Sequence, residues 1–186
     1  MLEALAARSG GAVGAAALDA KFDATKTLTT LRFNRYAAAT VDEARAHGNV
    51  DHDDADEVVQ LLSCESHVDS TLLTMLYVVD RGGLQVLNKS KAWVDVPVVP
   101  GAFVVNTGLG AQLLTDGRLN ATYHRVKLQP EVRTSIAMFV EFGFNATLDL
   151  FSEAPPQSDL AKTWEGQRWG DYMTDANKKY KEYVDR

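Results

Sequence analysis

The sequence predicts an all-β core with flanking helices, either an antiparallel sandwich or a barrel. Three observations carry this. From Leu72 to Phe142, short β-prone runs (LLTMLYVV, LQVL, WVDV, AFVVN, LLT, TYHRVKL, RTSIAMFVEF) alternate with Gly, Pro and Asp-Gly turns. Both ends of the chain instead space their apolar residues by three and four, as helices do. A chain of 186 residues that is 46% hydrophobic suits a single domain with an ordinary core.

Composition narrows the partners. A net charge of -6 argues against a nucleic-acid surface, because phosphate binding is driven by clustered Lys and Arg. Apolar runs are strand-sized and no charged segment leads into a longer one, so no membrane partner is expected and the reading is cytoplasmic. The single cysteine, Cys64, precludes an internal disulfide framework and suits a reducing compartment. A small-molecule substrate is the remaining class.

Residues 1–26 read as a helical segment interrupted at Gly10-Gly11. Thr27 to Tyr36 is rich in β-formers and reads as a strand. Residues 37–63 form an acidic stretch, with a helix expected near Val41 to Ala46 and a solvated loop after it that is placed to act as a lid. That stretch contains His52-Asp53-Asp54, but it has neither the order nor the closing Glu of an EF-hand. Cys64 stands three residues before His67, on the opposite face of a continuous strand, and is expected to pack as a small core or rim residue. Trp93 is expected in sheet packing, and Pro97 and Pro100 at an edge or corner. Residues 143–157 read as a connector. Asp159 to Arg186 reads as one helical tail with an aromatic face of Trp164, Trp169, Tyr172, Met173, Ala176, Tyr180 and Tyr183.

The chemistry concentrates between Glu65 and Glu141. On a strand, His67 and Asp69 project together and can bind one ion through an imidazole nitrogen and a carboxylate oxygen, with a second imidazole supplied from elsewhere. Two His and one carboxylate on one side of a metal, with the other positions open, are the ligand set of non-haem Fe(II) oxygenases. Arg133 and Ser135 also share a face, where the Arg fork can meet a carboxylate bidentately and the hydroxyl adds a third donor. Arg125 points away from His124 and is expected in a structural ion pair.

His67-x-Asp69, the distant His124 in Tyr123-His124-Arg125-Val126, Arg133-x-Ser135 and the text GGLQVL…WVDVPVVPGAFVVNTG resemble the isopenicillin N synthase-like branch of the Fe(II)/2-oxoglutarate dioxygenases over roughly Leu31 to Phe142. The resemblance implies a double-stranded β-helix, or jelly roll, over residues 27–142, with residues 143–186 as connector and C-terminal helix. It implies Fe(II) on His67, Asp69 and His124, and 2-oxoglutarate whose far carboxylate is gripped by Arg133 and Ser135. Asn34-Arg35-Tyr36 resembles the family's Asn-x-Tyr, which adds Tyr36 to that grip and Asn34 to the pocket, although Ala37 replaces the usual proline. The implied reaction consumes O2, optionally with ascorbate, releases succinate and CO2, and oxidises a small molecule, usually by hydroxylation, with desaturation or ring closure as the alternatives. An oxidase of the same scaffold that takes no 2-oxoglutarate, or a non-catalytic remnant, are the rival readings. The family also carries an N-terminal domain of about a hundred residues that this sequence does not include. Open apolar surface and self-association are the expected consequences.

Overall fold

The computed structural model describes residues 15–22, 25–40, 42, 50–52, 59–151 and 155–178. In chain order they contain α1 (Ala15–Asp19), β1 (Thr30–Tyr36), β2 (Val50–His52), β3 (Val59–His67), β4 (Leu73–Val78) and β5 (Leu84–Leu87). Next come β6 (Trp93–Asp95), β7 (Val104–Thr107), α2 (Leu109–Leu114), β8 (His124–Lys127), β9 (Arg133–Val140), α3 (Asp159–Trp164) and α4 (Trp169–Asn177). The strands form two antiparallel sheets, one in the order β1-β9-β4-β7 and the other β2-β3-β8-β5-β6. Together they make the expected double-stranded β-helix.

Period-two alternation sorts the first sheet into two faces. Along β9, Arg133, Ser135 and Ala137 are buried and line the cavity between the sheets. The register places Asn34 opposite Ser135 and Tyr36 opposite Arg133. The intervening residues point outward, where Leu31, Met138, Met75 and Val105 form an apolar row across the four strands. At one end this outer face is covered by Leu18 of α1, by α2 and by Trp169, Tyr172 and Met173 of α4, which form the main core with Leu72, Leu73, Val140 and Phe142. At the other end Leu31 and Phe33 are 58% and 70% exposed.

Five local expectations are corrected. The strand expected at Leu113 to Thr115 is the end of α2, because Leu109 to Leu114 sets apolar residues four apart and Gly108 opens the turn. His67 and Asp69 do not share a strand: His67 ends β3, and Asp69 lies in the reversal that carries the chain into the other sheet. β1 begins at Thr30, while Thr27 makes only an isolated bridge to Gly143. The acidic stretch contains β2, which pairs with β3, so it is not wholly loop; the helix expected over residues 41–46, and most of the lid, lie outside the described residues. The C-terminal tail is two helices over its described part, broken at Gly166, whose φ of +72° belongs to the left-handed region. Pro97 and Pro100 do follow an edge strand, β6. Among the described residues no helix is long and apolar enough to cross a membrane.

One buried carboxyl stands out in the core. Glu141 is 2% exposed at the end of β9, and its Oε2 has no hydrogen-bond partner among the described residues. Burial raises its pKa to about 8, against the opposing pull of the Trp169 indole and the Leu72 amide. A carboxyl with a raised folded-state pKa stabilises most below about pH 4.5 and loses that contribution as pH rises toward 8. Glu141→Gln should therefore leave stability near pH 4.5 almost unchanged and raise it by about 2–4 kcal/mol at pH 8.5. Urea denaturation at the two pH values measures this, and an equal effect at both would mean that the carboxyl is not neutral in the fold.

Candidate functional site

The cavity between the sheets has a volume of about 120 Å³ and is lined by His67, Asp69, His124, Arg133, Ser135, Tyr36 and Asn34, so all seven predicted residues meet there. Antiparallel pairing of β3 and β8 sets His67 directly opposite His124, with ring centroids 4.3 Å apart. Asp69 comes from the loop beyond β3, and its Oδ1 stands 3.7 Å from both His67 Nε2 and His124 Nε2. One ligand atom from each of the three lies within 4.8 Å of the others, close enough for a single ion.

Hydrogen bonds aim these atoms. His67 Nδ1 donates to the Glu65 carbonyl at 2.8 Å and His124 Nδ1 to the Thr122 carbonyl at 3.0 Å. In the neutral imidazoles each bond leaves Nε2 as the lone-pair nitrogen facing Asp69. Asp69 Oδ2 accepts from Thr74 Oγ1 at 2.6 Å and from Asn106 Nδ2 at 2.9 Å. That leaves Oδ1 facing the two imidazoles. Thr74 and Asn106 are themselves register partners on β4 and β7. The sequence reading missed both, although the signal was present: each is a polar residue at an inward position of a mainly apolar strand.

The other end of the cavity is cationic. Arg133 is 1% exposed; its Nε donates to the Gly82 carbonyl at 2.8 Å and its Nη1 to Ser135 Oγ at 3.4 Å. Its Nη2 is buried without a partner among the described residues, and its guanidinium stands 5.3 Å from the Tyr36 ring. Burial lowers the Arg133 pKa against Tyr36 and Asp80. Burial likewise raises that of Tyr36, which keeps its hydroxyl a donor. A desolvated guanidinium with a spare donor is matched by a carboxylate. Leu76, Leu84, Val86 and Val104 line the space between the two ends.

One residue departs from expectation. Cys64 lines the cavity, with its Sγ 3.9 Å from His67 Nδ1, because a register irregularity between Cys64 and His67 cancels the alternation that would have turned it away. Arg125 is buried, donates to Gln85 at 2.9 Å and stacks 4.1 Å over Trp93.

The two imidazoles differ in their proton affinity. Burial disfavours a charged His67, but Cys64, the Glu65 carbonyl and Asp69 outweigh it and hold the pKa up to about 9. Burial, against the attraction of Asp69, lowers that of His124. At pH 7 the free site thus carries its proton on His67, and a cation must displace it. Mn(II) titrations in buffers of different ionisation enthalpy should show about one proton released per ion at pH 7. Affinity should climb with pH and level off above about 9. Binding without proton release would mean that His67 is not a ligand.

The chain is similar to known proteins. A model of the 2OG-Fe(II) oxygenase superfamily matches residues 31–142. 1-Aminocyclopropane-1-carboxylate oxidase homolog 10 of Arabidopsis thaliana is 40% identical over 103 residues, which is 51% of this chain and 28% of that protein. Isopenicillin N synthase of Penicillium rubens is 34% identical over 112 residues, 60% of this chain and 33% of that one. The crystal structure of a full-length Neurospora crassa protein in complex with alpha-KG superposes with a TM-score of 0.72 at 22% identity, covering 94% of this chain and 51% of that one. The rice dioxygenase for auxin oxidation gives a TM-score of 0.57 at 28% identity, covering 81% and 47%. The chain thus spans about a third of the two curated relatives and about half of the two solved structures. The match to the family covers more than half of the chain, and the cofactors of that family are Fe(II) and 2-oxoglutarate. The chain belongs to the 2OG-Fe(II) oxygenase superfamily.

Proposed function

We propose that this chain forms the catalytic core of an Fe(II)- and 2-oxoglutarate-dependent dioxygenase that hydroxylates a small molecule and releases succinate and CO2. The observation that carries the proposal is the polarity of one cavity. At one end stand two imidazole nitrogens and a carboxylate oxygen held at 3.7 Å, and at the other a buried guanidinium with an unpartnered donor among the described residues. An elongated dianion with a chelating keto acid head and a carboxylate tail complements both ends.

In this reading His67, Asp69 and His124 hold Fe(II). The bound metal supplies dioxygen activation coupled to decarboxylation of 2-oxoglutarate. This chain's residues prepare the site for it. The Thr74 and Asn106 hydrogen bonds commit Asp69 to a single ligating oxygen, and the Glu65 and Thr122 carbonyls keep both Nε2 atoms free of a proton once the site is neutral. Arg133 and the Ser135 hydroxyl bind the far carboxylate, with the Tyr36 hydroxyl as a further donor and Asn34 beside it. Leu76, Leu84, Val86 and Val104 give the cavity an apolar wall, which strengthens the charge interactions beside it.

The ligand assignment is tested by metal content. Asp69→Ala should lose Fe(II) while the β-rich circular dichroism spectrum persists, whereas His52→Ala should bind Fe(II) like the parent. Iron retained by the first variant, or lost by the second, would remove His67, Asp69 and His124 from their roles.

Co-substrate binding is tested at Arg133. Removing one partner of a desolvated charge pair costs on the order of 2–5 kcal/mol. Arg133→Gln should therefore weaken 2-oxoglutarate by at least about thirtyfold, with iron still bound. The anaerobic absorbance band of the keto acid complex reports the affinity. If the parent shows no such band at millimolar 2-oxoglutarate, the Arg133–Ser135 pair serves a substrate carboxylate and the protein is an oxidase.

A further inference from the structure

Asp69 sits at the start of a loop that has no regular structure of its own, yet each of the four backbone carbonyls from residue 69 to 72 is tied to another element. The Asp69 carbonyl accepts from the Leu109 amide at 2.8 Å, that of Thr71 from Gly110 at 3.1 Å and that of Leu72 from Gly108 at 3.2 Å. The fourth, on Ser70, accepts from the Tyr172 hydroxyl of α4 at 2.8 Å. Three of the four donors come from the opening turn of α2. The remaining one reaches across the chain from the C-terminal helix.

The contact leaves little slack. A Cβ on Gly108 would stand 2.2 Å from the Thr71 carbonyl oxygen, and one on Gly110 2.3 Å from the Trp169 ring, so both sites admit only glycine without rearrangement. Trp169 of α4 therefore presses on the turn that holds one side of the loop, while Tyr172 holds the other. The Tyr172 ring is wedged between Trp164 at 5.5 Å and Trp169 at 5.3 Å. Ser70 and Tyr172 are 7% and 3% exposed, so solvent cannot readily replace the hydroxyl.

We propose that Tyr172 is a positioning residue for the metal centre. Its hydroxyl completes a clamp on the loop of residues 69–72 and so fixes Asp69 against His67 and His124 before an ion arrives. A preset carboxylate spares the ion the ordering of its own ligand, and affinity gains by the difference. The metal part of this inference rests on Asp69 being a ligand; the clamp itself does not.

Tyr172→Phe removes the hydroxyl and keeps the packing, whereas Trp164→Phe trims the packing and keeps the hydroxyl. Mn(II) calorimetry on the full chain should show affinity weakened at least about fivefold in Tyr172→Phe. Trp164→Phe should lower the melting temperature but leave Mn(II) affinity within about twofold. In the metal-free protein, hydrogen exchange at the Leu109 and Gly110 amides should be about tenfold faster in Tyr172→Phe than in the parent. A Tyr172→Phe protein that only melts earlier, with unchanged affinity and exchange, would reduce the hydroxyl to a structural role and overturn the proposal. A parent chain that binds no Mn(II) would instead sink the reading of the site, and the exchange rates would still decide whether the clamp exists.

Discussion

The Asp69 carboxylate is tied by two hydrogen bonds, from Thr74 and Asn106, to the sheet opposite the one that carries both histidines. The site exists only where the two sheets are brought face to face. β3 and β8 deliver the imidazoles as register partners, and β4 and β7 deliver the donors that orient the acid between them. A buried carboxylate with no partner would be costly. Here one oxygen accepts from Thr74 and Asn106 and the other is turned to the two imidazoles.

Opposite polarity at the two ends of one cavity follows from the same alternation. β1 and β9 turn Tyr36, Asn34, Arg133 and Ser135 inward at facing positions, and their outward neighbours include the apolar Leu31, Phe33 and Met138. Arg133 is held by a backbone carbonyl and by Ser135, neither of which carries a countercharge. Its guanidinium thus keeps an unmet demand for an anion in a place that water reaches poorly. Burial pushes His124, Arg133, Tyr36 and His67 each toward its neutral form, and only at His67 do neighbouring polar groups override it.

Much of this was legible in the chain because it is local. Period-two runs between Gly and Pro punctuation marked most strands, and i, i+2 spacing put Arg133 with Ser135 on one face before any partner strand was known. The resemblance supplied the order in which His67, Asp69, His124, Arg133 and Ser135 would converge. Where the reading failed, a non-local or irregular feature had intervened. Leu113 to Thr115 is β-prone alone but completes the turn that α2 packs into the core. Cys64 faces the cavity only because the ladder between β3 and β8 slips.

From the residues alone came the class of fold, the candidate ligand types, the Arg133–Ser135 pair and the acidic balance of charge, since each depends on side-chain chemistry and short-range periodicity. Tertiary structure alone decided that Asp69 leaves its strand, that Thr74 and Asn106 select the oxygen it turns to the histidines, and that Arg133 retains a donor without a partner among the described residues. It also brought Tyr172 to the Ser70 carbonyl across a separation of 102 residues. Such pairings are set by how sheets and helices pack, and no spacing within a single element encodes them.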